Sequence, residues 1–244
     1  MDGNPPTGFE APPRIMVAAS LRSGSTHIGH TLCQLTGRAM NSGMIAFGKG
    51  FGADEHSIHP FMAQALFPNE KFLFHLHLKC TTIQEQILQM FKAKVIITVR
   101  NIFDIMLSIK ERQDVGCYIP GVVSPFDWDK LDDQTKWEFL GQNVVPWHLQ
   151  FAASWMTAEV DCIWVRYKDY FKDQVEGVTK IFEFLGMPIP PKKLIRAATK
   201  SKVNFQHGKV GRGIKAVPDN VRKDVLRLFD CWGTVAEPLR SMYL

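Results

Sequence analysis

The sequence predicts an α/β protein of one domain, with a central parallel sheet flanked by helices. Two patterns carry that expectation. Short apolar runs at Ile15–Ala19, Phe72–Leu78, Val95–Val99 and Cys162–Val165 have the length of buried strands. Between them lie segments whose apolar residues fall three and four apart, the period of a helix. Strands separated by helices form βαβ units, which cover both faces of a parallel sheet and leave ligand sites at the carboxyl ends of its strands. The chain carries no internal repeat.

A Pro-rich lead-in, residues 1–13, is expected to be flexible, and the domain to run from 14 to 244. The first strand, Ile15–Ala19, stops at a Ser/Gly cluster, and Ile28, Leu32 and Leu35 mark one face of the helix after it. Residues 41–59 are Gly-rich and irregular. The strand Phe72–Leu78 precedes a helix marked by Ile83, Ile87, Leu88 and Phe91. Val95–Val99 leads into a helix carrying Ile102, Ile105, Met106 and Ile109, which a loop with Gly116, Pro120, Gly121 and Pro125 interrupts. A long helix is expected from about Thr135 to Ala158, with Trp137, Trp147, Phe151 and Trp155 on its core side. The strand Cys162–Val165 and several short helices finish the chain.

Composition narrows the function classes. Hydrophobic residues make up 45% of the 244 and charged residues 22%, which excludes a disordered or fibrous chain. Even the apolar stretch Val95–Ile109 contains Arg100 and Asp104, so no window reaches the roughly 18 uncharged residues of a membrane span. The start, with Asp2, Asn4, Pro5 and Pro6, lacks the basic-then-apolar pattern of a secretory signal, and a cytoplasmic protein is expected. Cys33, Cys80, Cys117, Cys162 and Cys231 are widely spaced, as free thiols in a reducing compartment would be. The net charge of +5 is not gathered into a run, which fits a small polyanionic ligand better than nucleic acid. His27/His30 and His56/His59 are spaced as ligand pairs, yet no Cys or carboxylate cluster completes them, and no metal is expected.

Two clusters carry chemistry. The first strand runs into Leu21-Arg22-Ser23-Gly24-Ser25-Thr26 and then a helix, pointing backbone N–H groups and a helix dipole at an anion. Gly24 permits close approach, and Ser23, Ser25 and Thr26 add hydroxyl donors. The Walker lysine and glycine spacing are absent. The second cluster comes after Val95–Val99: Arg100 stands at the strand's carboxyl end, and Ser108 lies two helical turns on, with Asp104 midway on the same face.

Together these clusters resemble the sulfotransferases that use 3′-phosphoadenosine 5′-phosphosulfate (PAPS). In that family a strand ending in K/R-S-G-[ST]-[ST] binds the 5′-phosphosulfate, as Arg22–Thr26 matches, and an R-x7-S element binds the 3′-phosphate, as Arg100 and Ser108 match. Weaker matches extend the resemblance. Phe74-His75-Leu76-His77-Leu78 resembles the strand end bearing the catalytic histidine, with His77 the better fit and His75 the alternative. Val165-Arg166-Tyr167-Lys168-Asp169 resembles the segment whose tyrosine lies by the adenine. Gly208-Lys209-Val210-Gly211 resembles the late loop closing on the 3′-phosphate, but Gln206-His207 replaces a basic pair, so Lys209 or Arg212 would supply the charge. His27 stands where many members carry a tryptophan over the adenine.

The resemblance implies a P-loop-like sulfotransferase architecture and transfer of a sulfuryl group from PAPS, with 3′-phosphoadenosine 5′-phosphate (PAP) as the product. The acceptor would be a hydroxyl or amine of a small molecule or carbohydrate. Arg22 and the amides of 23–26 would hold the transferring group, and Arg100 with Ser108 the 3′-phosphate. His77 would take the acceptor proton. His75 and His77 are read as pointing to opposite faces of their strand, so that one faces the cofactor and the other is structural. Residues 42–61 and 114–130, with Tyr118, Phe126 and Trp128, are expected to shape the acceptor pocket. A P-loop phosphotransferase and an inactive PAPS-binding module are the competing readings.

Overall fold

In the computed structural model of the chain, the structure describes residues 12–41, 58, 71–115, 127–200 and 209–244. Five strands form one parallel sheet in the order β2-β3-β1-β4-β5. They are β1 (Arg14–Ala19), β2 (Ala39–Asn41), β3 (Phe72–Leu76), β4 (Ala93–Val99) and β5 (Cys162–Arg166). Every pairing between neighbours is parallel, with Val17 beside His75 on one side and Ile96 on the other.

Alternation along the strands divides the interior in two. Met16, Ala18, Phe74, Leu76, Val95, Ile97 and Val99 face one layer of helices, which buries Ile105, Leu149, Trp155 and Phe229 against them. Ile15, Val17, Leu73, Ile96 and Val165 face the other, against Ile28, Leu32, Tyr170 and Phe182. Burial of both faces explains why the central strands are continuous apolar runs.

The structure differs from expectation in two elements and adds detail to a third. The three-residue strand β2 at the sheet edge carries too few residues to show a period in the sequence. β3 ends at Leu76, which leaves His77 beyond the last paired residue. The long helical stretch runs unbroken from Asp133 to Met156, with one wider turn at Leu140–Val144 inside it. Pro146 lacks the N–H that an ordinary helical turn would use there, and the wider turn lies just before it. Trp137, Phe151 and Trp155 are nonetheless buried, as expected.

Candidate active site

The carboxyl ends of β1, β3, β4 and β5 converge, and most of the candidate residues that the structure describes lie at these ends or in the segments just after them. Beyond β1 the chain turns through Ser20–Gly24 into the helix Ser25–Thr36, α1. Arg22 takes a positive φ of 61° and Gly24 one of 79°, so two of three consecutive residues are left-handed. For arginine this conformation is uncommon and costs energy. At Gly24 a Cβ would also lie 2.9 Å from the rings of Tyr167 and Phe171, so only glycine fits.

Hydrogen bonds hold this turn rigid. Ser20 N donates to Thr98 O at 3.0 Å, extending the β1–β4 ladder by one residue. The Ser23 hydroxyl gives its proton to Ser20 O at 2.5 Å and therefore accepts from the Thr98 hydroxyl at 2.7 Å. Ser25 and Thr26 open α1, where backbone N–H groups have no partner inside the helix, and that end can receive an anion.

The helix Ile102–Gln113 brings the second cluster to the first. Arg22 Nε donates to Ser108 Oγ at 3.0 Å, and Arg100 Nη1 donates to the Arg22 carbonyl at 3.4 Å. The Arg100 guanidinium lies over the Tyr167 ring, 4.3 Å from its centre. Arg100 Nε is buried and makes no hydrogen bond among the described residues, standing 3.9 Å from Asp104 Oδ2. Burial and the charges of Arg112 and Arg100 lower the Arg22 pKa to about 10, still fully cationic at neutral pH. A small open pocket lies beside Arg100, lined also by Asn101, Arg166, Tyr167, Lys168 and Val210.

Asp104 does not serve chiefly as the partner of Arg100. Its buried carboxylate accepts the Gly213 amide at 2.7 Å and the Gly211 amide at 2.9 Å, tying the late glycine segment to the helix of Ser108. Arg212 is ion-paired with Glu111, and Lys209 is exposed. Gly208 lies outside the described residues, as do Gln206, His207, Tyr118, Phe126, His56 and His59.

The histidines correct the expectation that His75 and His77 oppose each other. Residues two apart on a strand share a face, and their rings lie 5.5 Å apart. Their roles differ through their partners. His75 is buried, pairs through Nε2 with Ser25 Oγ at 2.8 Å, and has its pKa lowered to about 3 by burial and by the charges of His77 and His30. It stays neutral and supports the loop. His77 is half-buried, and its Nδ1 lies 2.8 Å from Ala19 O. A carbonyl only accepts, so the neutral ring carries its proton on Nδ1 and presents Nε2 as the basic nitrogen.

Two further expectations change. His27 is buried beneath Tyr170 and Phe171, with Gln174 Nε2 at 3.3 Å, and is a packing residue rather than a platform for a base. Trp128 is buried against Phe139 and donates to Asp114 Oδ1 at 2.9 Å, which removes it from an acceptor pocket. Sequence reasoning missed Ser20, Thr98 and His148, because their polar contacts join segments far apart in the chain. Among the described residues, no group of three or more His, Cys, Asp or Glu side chains could hold a metal ion, and no helix is long and apolar enough to cross a membrane.

Comparison with known proteins bears on the family and the fold. A family model described as Sulfotransferase domain matches residues 12–212. Among solved structures, the chain is similar to mouse sulfotransferase SULT7A1 complexed with PAP, with a TM-score of 0.68 and 17% identity over 96% of this chain and 89% of that one. It is also similar to a retinol dehydratase in complex with retinol and PAP, with a TM-score of 0.60 and 11% identity over 93% and 82% of the two chains. No curated protein matches the chain by sequence.

Proposed function

Because the chain belongs to the Sulfotransferase domain family, we propose that it transfers a sulfuryl group from PAPS to a hydroxyl or amine of a small-molecule or carbohydrate acceptor. The observation that carries this reading is the pairing of Arg22 and Arg100 across one strained turn, with Ser108 bonded to Arg22 and Arg100 Nε lacking a hydrogen bond among the described residues. Two like charges close enough that Arg100 lowers the Arg22 pKa are costly in a part-buried site unless an anion joins them. PAP in two structures of similar fold supports a 3′-phosphorylated adenosine nucleotide as that anion.

When bound, PAPS supplies an activated sulfuryl group, whose S–O bond to the 5′-phosphate breaks as the acceptor oxygen or nitrogen bonds to sulfur. Arg22 and the amides of Ser25 and Thr26 neutralise charge on the group in flight and on the leaving oxygen. Ser23 holds the turn. Arg100 and Ser108 receive the 3′-phosphate, while Tyr167 lies against the nucleoside. The segment of Lys209, Gly211 and Arg212 closes over the phosphate, anchored through Asp104. His77 takes the acceptor proton on Nε2.

Titration calorimetry with PAP and 5′-AMP tests the reading. PAP is expected to bind much more tightly, and Arg100→Ala to remove most of the difference, roughly tenfold or more for one charge-assisted hydrogen bond. Equal affinity of the unaltered protein for the two nucleotides would overturn the assignment.

A further inference from the structure

His148 belongs to none of the motifs, yet it lies under the centre of the site. Its ring is completely buried on the helix Val145–Met156, and its Nε2 has no hydrogen-bond partner among the described residues. Burial, together with the charge of His77, pushes its pKa down to about 3, so the ring is neutral. A neutral imidazole has one N–H to place. Leaving a buried lone pair unmet is cheaper than stranding a buried N–H, so the proton sits on Nδ1, which lies 2.7 Å from Ser20 Oγ.

The contacts beyond Ser20 close into a ring. The Ser20 hydroxyl accepts from His148 and reaches Tyr243, whose own hydroxyl donates to the His148 carbonyl at 2.9 Å. Two fully buried side chains, His148 and Tyr243, thus fix the Ser20 hydroxyl in one orientation. Ser20 shares a planar peptide with Ala19, and that plane is held at two points: the Ser20 N–H donates to Thr98 O at 3.0 Å, and the Ser20 side chain is tied to His148. That carbonyl is the acceptor for His77 Nδ1 at 2.8 Å.

We propose that His148 is a positioning residue for the transfer reaction: through Ser20, and beside the Thr98 bond to the same peptide, it holds the Ala19 carbonyl in place, and that carbonyl keeps the His77 proton on Nδ1 and the basic lone pair on Nε2. The inference rests on His77 as the proton acceptor of the proposed function. It gives a buried histidine with an unmet nitrogen a use that an apolar side chain of similar volume, which would pack there without that cost, could not supply. His148 itself touches no reacting atom.

Imidazole NMR of the whole protein reads the His77 tautomer directly and requires neither nucleotide nor acceptor. In the unaltered protein, neutral His77 is expected as the Nδ1–H form. Ser20→Ala and His148→Phe are each expected to raise the Nε2–H form to at least about a third, within the reach of one hydrogen bond. Combining them should add little, because they act along one route. His148→Asn, which can still donate to Ser20, should restore the Nδ1–H form. With an acceptor in hand, kcat should fall about tenfold in Ser20→Ala while KM for PAPS changes less than about twofold. An unchanged tautomer in Ser20→Ala overturns the proposal even if His148→Phe does not fold, and failure of a folded His148→Asn to restore it overturns the route through Ser20. Absence of PAP binding by the unaltered protein would instead overturn the proposed function and leave the tautomer result standing.

Discussion

Asp104 accepts the amide of Gly213 at 2.7 Å, joining the helix that carries Ser108 to a segment more than a hundred residues later. The second oxygen of the same carboxylate takes Gly211 N at 2.9 Å, so one side chain satisfies both ends of the turn. Asp104→Ala should strand these amides, costing about 1–3 kcal/mol for each that stays buried, and should weaken PAP binding by loosening the segment. Urea unfolding and calorimetry measure the two effects. Asp104→Asn, which keeps one acceptor, is expected between the two. Unchanged PAP affinity in a destabilised Asp104→Ala would confine Asp104 to a structural role.

Arg22→Ala should lower turnover by about two to three powers of ten, the range for removing one stabiliser of developing charge. PAP binding should fall less, since the product no longer carries the transferring group. Saturation kinetics with PAPS and an acceptor decide this. The substitution also relieves little strain, because alanine at φ 61° is as unfavourable as arginine.

His77→Ala should lose about 10² to 10⁴ in kcat and leave PAP affinity nearly intact, as expected for removal of a positioned base. His75→Ala should instead affect nucleotide binding and melting temperature, because it removes the partner of Ser25 at the start of α1. Their assignment would reverse if His75→Ala lost rate without losing affinity.

The buried histidines also predict an acid weakness. His75 and His148 are neutral when folded, with pKa values near 3, and protonate near the ordinary value of 6.5 when unfolded. Below 6.5 the unfolded chain binds more protons, so stability falls as pH drops towards 3 and is regained as pH rises. Between pH 7 and pH 5 each contributes a loss of about 2 kcal/mol. Denaturant midpoints at those two pH values should converge in part in His148→Gln, which has nothing to protonate. An equal drop in the variant and the parent would show that His148 does not carry its share.

What the sequence determined by itself is local. A strand running straight into Arg22-Ser23-Gly24-Ser25-Thr26 specifies an anion-binding turn, because glycine permits the left-handed step and a new helix supplies the N–H groups. Arg100 and Ser108 are eight apart on a strand end and its helix, a spacing that any regular helix turns into one face. That His75 and His77 do not oppose each other was equally open to reading, since residues two apart on an extended segment share a face, although His77 lies just past the end of β3. The tertiary structure alone decided which histidine is buried against a hydroxyl and which turns its Nδ1 to a carbonyl. That depends on whether burial removes water from the ring and on whether the nearest partner is a hydroxyl or a carbonyl, and those partners, Ser25 and Ala19, lie fifty or more residues earlier. Likewise His27 and Trp128 are buried by Phe171 and Phe139, and Ser20 meets His148 across 128 residues, contacts that exist only once helices and sheet have packed. Patterns with a fixed period are written in the chain; a hydrogen bond between distant segments is set by how those segments dock.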